Sequence, residues 1–246
     1  MTLDFQRLAK QLDDLGPRLR ERAEEGQARL ARALDTARAW AGRPDSLRER
    51  LAAASTRWLL AEPLAEAMNA AFPAPPAPAE YVALASDGSH IDLDRYSPVS
   101  CYLLNLGRAR IRYGSRPEAD LASEPDLAFE DQRLVLSDRT DASHEDVLSG
   151  NLLAALRSVR EVELLAQLAA QEDSGLPTLA LLDGTLVLWG LAGKEFRGEA
   201  KRVLLDEGII RALDALKALA GQKPIALASY ISHPGGSEVV HTLRLA

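Results

Sequence analysis

An α/β fold is predicted for this chain, a mixed sheet flanked by helices and preceded by an all-helical extension. Three observations predict it. Residues 1–72 carry apolar side chains at alternating three- and four-residue spacing, the period of amphipathic helices. Four prolines fall within residues 73–78. Beyond them short apolar runs bounded by turn residues alternate with longer helical stripes, the pattern of strands and covering helices.

In the extension, Leu8, Leu12, Leu15 and Leu19 form a first stripe, punctuated by Gly16-Pro17. A second runs through Leu30, Ala33, Leu34, Ala37 and Trp40 and stops at Gly42-Arg43-Pro44. A third starts at Asp45-Ser46 and carries Leu47, Leu51, Ala54 and Trp58. Such stripes suit a partner subunit or the flank of the chain's own core, and both readings stay open. The expected organisation is a helical extension over 1–72 for association or partner docking, a stiff proline-rich linker over 73–79, and a domain over 80–246.

In that domain the apolar run 81–86 reads as a strand ending in Asp87. Residues 100–106 and 108–113 read as a β-hairpin around Gly107, and Leu134–Leu136 as a short strand. A long helix is expected over 144–171, with Ser143 as its N-cap and Asp146 three residues on. Strand 178–182 ends in Asp183, a helix covers 195–220, strand 224–231 follows, and a terminal run Val239–Leu245 completes the sheet domain. Strands first and alternating helices and strands afterwards give a mixed sheet.

Composition bounds the function. The 246 residues are 47% hydrophobic and 26% charged, with no apolar run near the ~20 residues of a membrane span. A polar N-terminus carries no secretory signal, and the single cysteine, Cys101, allows no internal disulfide. Cys101 has no evident partner for nucleophilic chemistry and reads as a small strand residue. A cytoplasmic protein is expected. Residues 1–72 hold 12 basic and 11 acidic residues, and the remainder holds 17 basic and 25 acidic. That acidic balance excludes passive nucleic-acid binding of the high-pI kind.

Two aspartates at the ends of buried runs, Asp87-Gly88-Ser89 and Asp183-Gly184-Thr185, suggest a carboxylate cage for a hard divalent cation, completed by an acid from the intervening helix. Glu161 and Glu163 are the candidates. At ~100° per residue Glu163 lies on the stripe of Leu152, Leu156, Val159 and Ala166, and Glu161 falls nearer Arg157 and Leu168. A carboxylate within an apolar stripe is costly to desolvate unless a cation meets it, so Glu163 is the preferred ligand. Ser89 is placed to hydrogen-bond Asp87 or a substrate phosphate. Lys194, Arg197 and Lys201 share a helix face after Asp183, as a clamp for a DNA backbone or a solvated surface. His90, Asp92 and Asp94 read as turn or loop residues, and Tyr230 and His233 as lining the same sheet edge. Gly190–Glu195 lacks the spacing of a phosphate loop, and no HExxH, paired CxxC or GxSxG is present.

This order of elements and acids resembles the ribonuclease H-like nuclease fold, in which neighbouring parallel strands bring two acids together and a helix supplies a third. Asp87-Gly-Ser89, Tyr102–Gly107 with Arg112-Tyr-Gly114, Leu182-Asp-Gly-Thr-Leu186 and Ser229–Gly235 resemble, in order, recurring segments of the NurA nuclease domain over about residues 80–246. The resemblance implies a manganese-dependent (or magnesium-dependent) DNA nuclease of endonuclease and 5′–3′ exonuclease type. It implies a homodimer that processes DNA ends in repair with a HerA-like hexameric translocase. It makes Asp87 and Asp183 metal ligands and places the helix acid on Glu161 or Glu163. Members of the family continue beyond the strand at 224–231, and a late segment supplies a Tyr and a His. No segment resembling it is found here, and His233 and His241 come too early for its role. The expectation is therefore a C-terminally incomplete domain; the alternative is a catalytically impaired dimeric scaffold that docks on a DNA translocase.

Overall fold

A computed structural model describes residues 4–92, 99–137, 145–187, 198–232 and 234–246. The chain forms two compact units, a helical one of residues 1–75 with 234–246 and a sheet unit of residues 76–233.

In the helical unit, helix α1 spans Phe5–Trp40, with the Asp4 side chain capping its first turn by accepting from the Arg7 backbone N–H at 3.1 Å. It runs unbroken through Gly16-Pro17, where the sequence pattern suggested an interruption. Proline removes one backbone hydrogen bond there, a loss that a solvent-exposed helix of 36 residues tolerates. Leu12, Leu15, Leu19, Leu30 and Leu34 lie exposed along it. Helix α2, Pro44–Ala53, starts one residue before the expected Asp45, because proline's fixed φ and missing N–H suit the first helical position.

The terminal run Val239–Leu245, to which the sequence assigns no element, is a helix in this unit, Glu238–Leu245. Its β-branched residues favour strand only weakly, and tertiary contacts outweigh that preference. The Thr242 hydroxyl donates to the Ala61 carbonyl at 2.8 Å, and His241 stacks on Trp58 with ring centroids 4.8 Å apart.

The sheet unit is built on five strands: β1 Tyr81–Asp92, β2 Tyr102–Tyr113, β3 Glu118–Ala128, then, after the short helix α3 Asp131–Leu134 and the short pair β4 Val135–Ser137 and β5 Glu145–Val147, β6 Thr178–Asp183 and β7 Ile225–Tyr230. The large sheet has the order β3-β2-β1-β6-β7. β1 pairs antiparallel with β2 and parallel with β6, and β6 pairs parallel with β7, so the sheet is mixed.

Two expectations about it are corrected. The chain does not turn at Gly107; Tyr102–Tyr113 form the single strand β2, and the hairpin joins β2 to β3. Glycine is compatible with an extended strand, and Gly107 lies directly opposite Asp87. β3 itself escaped detection because it is an edge strand, exposed along almost all of its length, with charged residues and Pro125 in place of an apolar alternation.

Helix α4, Gly150–Gln171, packs on β1, β6 and β2 and begins later than the expected residue 144; Glu145–Val147 is strand, and the expected cap Ser143 lies outside the described residues. Helix α5 follows over 198–220 as Gly198–Lys201, a π-helical stretch Arg202–Ile210 and Arg211–Ala220. Val82 and Leu84 of β1, Ala180 and Leu182 of β6, Leu153, Val159 and Leu165 of α4, and Leu204 and Ile209 of α5 form the core.

The wide π turn brings Gly208 against Val159: a Cβ there would lie 2.5 Å from Val159 Cγ1 and 2.9 Å from the Val203 carbonyl oxygen. Neither a stiff β-branched side chain nor backbone yields easily. Gly208→Ala is therefore expected to destabilise the protein by about 1–3 kcal/mol. Thermal melting checks this, and an unchanged midpoint would show that α5 shifts freely on α4.

α4 is clamped to the sheet along its whole length. Its first N–H, of Gly150, donates to the Asp92 carboxylate at the end of β1 at 2.6 Å, a favourable charge at a helix N-terminus. At its C-terminal end Arg110 of β2 donates to the buried Glu172 carboxylate at 2.7 Å, and Lys223 donates to the Ala170 and Glu172 carbonyls. Burial alone would raise the Glu172 pKa, but the hydrogen bonds from Arg110 and Ser174 hold it at about 2. In the middle the Ser86 hydroxyl donates to the Glu161 carbonyl at 2.7 Å.

Candidate functional site

The parallel ladder between β1 and β6 ends with Ser86 opposite Leu182. One step further along both strands stand Asp87 and Asp183, at the C-terminal edge of adjacent strands, and Asp183 is also paired with Tyr230 of β7. β1 does not end there, as the sequence suggested, but continues to Asp92 against β2. Strand alternation turns Val82, Leu84, Ser86 and Gly88 toward α4, whereas Asp87 and Ser89 are exposed.

The two Asp-Gly pairs look alike in sequence and differ in cause. Gly184 adopts φ +97°, a left-handed conformation suited to glycine, with open space at its Cβ position. Gly88 has no such φ; it is needed because α4 comes so close. A Cβ on Gly88 would sit 2.7 Å from Glu161 Oε1 and 3.0 Å from both Arg157 Cγ and Leu106 Cδ2.

Of the two helix glutamates, that approach places Glu161 against β1. Glu161 is 5% exposed, and its Oε1 is buried without a hydrogen-bond partner. Burial raises its pKa to about 7; Arg157 and the Gly88 backbone hydrogen bond oppose the rise, and the charges of Asp87 and Asp183 add to it. Glu163, preferred on helical periodicity, lies to the side: its carboxylate pairs with Arg160 at 2.6 Å, and its side chain is 27% exposed. α4 is buried around most of its circumference, so an apolar stripe could not single out the sheet-facing glutamate. The nearness of Arg157 was the signal that favoured Glu161.

Among the remaining candidates, Lys201 is exposed on α5, and Asp92 caps α4. Lys194, Arg197, His233 and Asp94 lie outside the described residues. Sequence reasoning did not anticipate the parts of Ser86, Gly88 and Arg157 in seating α4. Arg157 Nη1 donates to the Gly88 carbonyl at 2.7 Å and stands 3.5 Å from Glu161 Oε1.

Among the described residues no three His, Cys, Asp or Glu side chains are arranged to hold a metal ion as they lie. The donor chemistry nevertheless fits a hard divalent cation: three carboxylates and no thiolate. The unpartnered Glu161 oxygen beside two further acids is a position that a cation would satisfy.

The family model described as the NurA domain matches residues 81–235, which span β1 to β7 and hence all three acids. The chain belongs to the NurA domain family. Solved structures to which it is similar include the NurA nuclease from Sulfolobus solfataricus, at 12% identity and a TM-score of 0.34, over 98% of this chain and 54% of that one. The type 1 ribonuclease H LC9-RNase H1 matches at 13% identity and a TM-score of 0.28, over 70% and 72% of the two chains. The protease–reverse transcriptase of Prototype Foamy Virus matches at 16% identity and a TM-score of 0.34, over 69% of this chain and 20% of that one. This NurA-domain chain thus spans about half the length of the Sulfolobus nuclease and a fifth of the viral protein. No curated protein matches it.

Proposed function

We propose that this NurA-domain chain is a divalent-metal-dependent deoxyribonuclease that works at DNA ends. The observation that carries the reading is the buried, unpartnered Glu161 oxygen near Asp87 and Asp183, which follow the last β1–β6 pair. Asp87, Asp183 and Glu161 would hold the ion, with Mn²⁺ or Mg²⁺ as the cations suited to an all-oxygen site. When bound, the ion supplies positive charge where phosphodiester hydrolysis develops negative charge.

The chain's own residues do the rest. The rigid β1–β6 edge fixes the spacing of the aspartates. Asp92, Ser86 and Arg110 fix α4 and, through it, Glu161. Ser89, exposed on β1 two residues beyond Asp87, is proposed to donate to a phosphate oxygen, and Lys194, Arg197 and Lys201 to steady the DNA backbone. Titration of Mn²⁺ against end-labelled DNA tests the reading: metal-dependent cleavage, endonucleolytic and 5′–3′ exonucleolytic, is expected. Tight metal binding without cleavage would favour the alternative, a dimeric scaffold on a translocase.

The proposed setting is a homodimer acting in DNA repair with a HerA-like hexameric ATPase. The exposed leucines of α1 support this, because regular apolar residues along one long helix are suited to burial against a partner. No helix among the described residues is long and apolar enough to cross a membrane. Leu12→Lys with Leu19→Lys is expected to convert a dimer to a monomer in sedimentation velocity while the fold persists. A dimer that survives both changes would remove α1 from the interface.

A further inference from the structure

Arg157 differs from Arg110 and Arg160, which also face acids in the sheet unit. Arg110 donates to Glu172 at 2.7 Å and Arg160 to Glu163 at 2.6 Å, so in each case the guanidinium and the carboxylate satisfy one another. Arg157 lies one helical turn before Glu161, yet Nη1 directs its hydrogen bond to the Gly88 carbonyl and stays 3.5 Å from Glu161 Oε1. Glu161 Oε1 is left with no hydrogen-bond donor, and Arg157 Nε is buried without an acceptor. The guanidinium is therefore held by backbone, beside a carboxylate that it compensates by charge alone.

We propose that Arg157 is a positioning residue that stands in for a cation: tethered to the Gly88 carbonyl, it balances the buried Glu161 carboxylate until a divalent ion claims it. This inference rests on the metal-site reading above and deepens it. The charges of Asp87 and Asp183 reach the buried Glu161, and Arg157 is the cation beside it. A divalent ion at Glu161 Oε1 would gain a ligand and be repelled by the neighbouring guanidinium, so the arginine sets a threshold for occupancy. Because its anchor is the Gly88 carbonyl and not the glutamate, the guanidinium remains in place to compete, and it keeps α4 seated on β1 whether or not the ion is present.

The test is Mn²⁺ binding, measured by isothermal titration and by Mn²⁺ electron paramagnetic resonance, with melting in chelator alongside. Arg157→Met removes the charge and keeps the stem. It should lower the melting temperature in chelator and tighten Mn²⁺ binding on the order of tenfold. Arg157→Lys, which keeps the charge, should bind Mn²⁺ like the wild type. In a Glu161→Gln background Arg157→Met should change Mn²⁺ affinity by less than about twofold, since the effect passes through Glu161.

Unchanged or weaker Mn²⁺ binding by Arg157→Met would overturn the inference and leave Arg157 a clamp for α4. Equal tightening in the Glu161→Gln background would overturn it as well, by showing a general field effect. If Arg157→Met does not fold, Arg157→Gln, which retains a donor for the Gly88 carbonyl, carries the same expectations. A wild-type protein that takes up no Mn²⁺ would overturn the metal reading itself, whereas a wild type that binds normally beside an unaltered Arg157→Met overturns only the role of Arg157.

Discussion

Asp87→Asn and Asp183→Asn are each expected to reduce Mn²⁺-dependent DNA cleavage by at least about 10³-fold while leaving the fold intact. Both aspartates are exposed at the C-terminal edge of neighbouring strands and contribute little to the core. Each also raises the pKa of Glu161 through its negative charge. Neutralising either one relieves that repulsion, so the melting temperature in chelator should hold or rise. Cleavage assays and circular dichroism on the same preparations check both halves. Cleavage at the wild-type rate by either variant would remove that aspartate from the site, and loss of the fold would show that it serves structure instead.

Glu161→Gln carries the second large effect, and it runs in opposite directions for activity and stability. Cleavage should be lost to a similar extent, because the buried oxygen proposed to meet the ion is replaced. Stability should depend on pH in a defined window. The folded-state pKa is about 7 against a usual value of 4.5, so the folded state holds a proton that the unfolded state releases as pH rises between them. Wild-type stability in chelator should therefore fall from about pH 4.5 to about pH 7 and level off above, by at most about 3 kcal/mol from this group. Glu161→Gln should lack this component, resembling the wild type near pH 4 and exceeding it at pH 8. Denaturant melts across that range measure it. Parallel pH profiles for the two proteins would show that Glu161 ionises freely where it stands.

How far the molecule was legible before folding is seen best by comparing pairs of residues. Asp87 and Asp183 announce themselves, because a buried strand is a run of consecutive apolar residues and the polar residue that follows it stands out. β3 is silent by contrast: an exposed edge strand with glutamates, aspartates and a proline reads as loop. The Val239–Leu245 run is undecided in sequence, and contacts with Ala61 and Trp58 stabilise it as a helix. Gly107 misleads, since a glycine that breaks an apolar run signals a turn but lies here within a strand opposite Asp87.

Glu161 and Glu163 mark the boundary most sharply. Local periodicity established that α4 is a helix, that it carries two acids, and that apolar strand runs followed by aspartate flank it in sequence. Those properties depend on residues a few positions apart, and apolar spacing records them directly. Which glutamate is buried depends on which side of α4 meets β1, on a glycine at 88 that leaves room for the Glu161 and Arg157 side chains, and on a serine and an arginine that seat the helix there. Gly88 and Glu161 lie far apart in the chain and are brought together by the β1–α4 packing. Desolvation of a carboxylate is a property of that packed neighbourhood, so the buried Glu161 and the half-exposed Glu163 are distinguished by the sheet beneath them and not by their place in the helix.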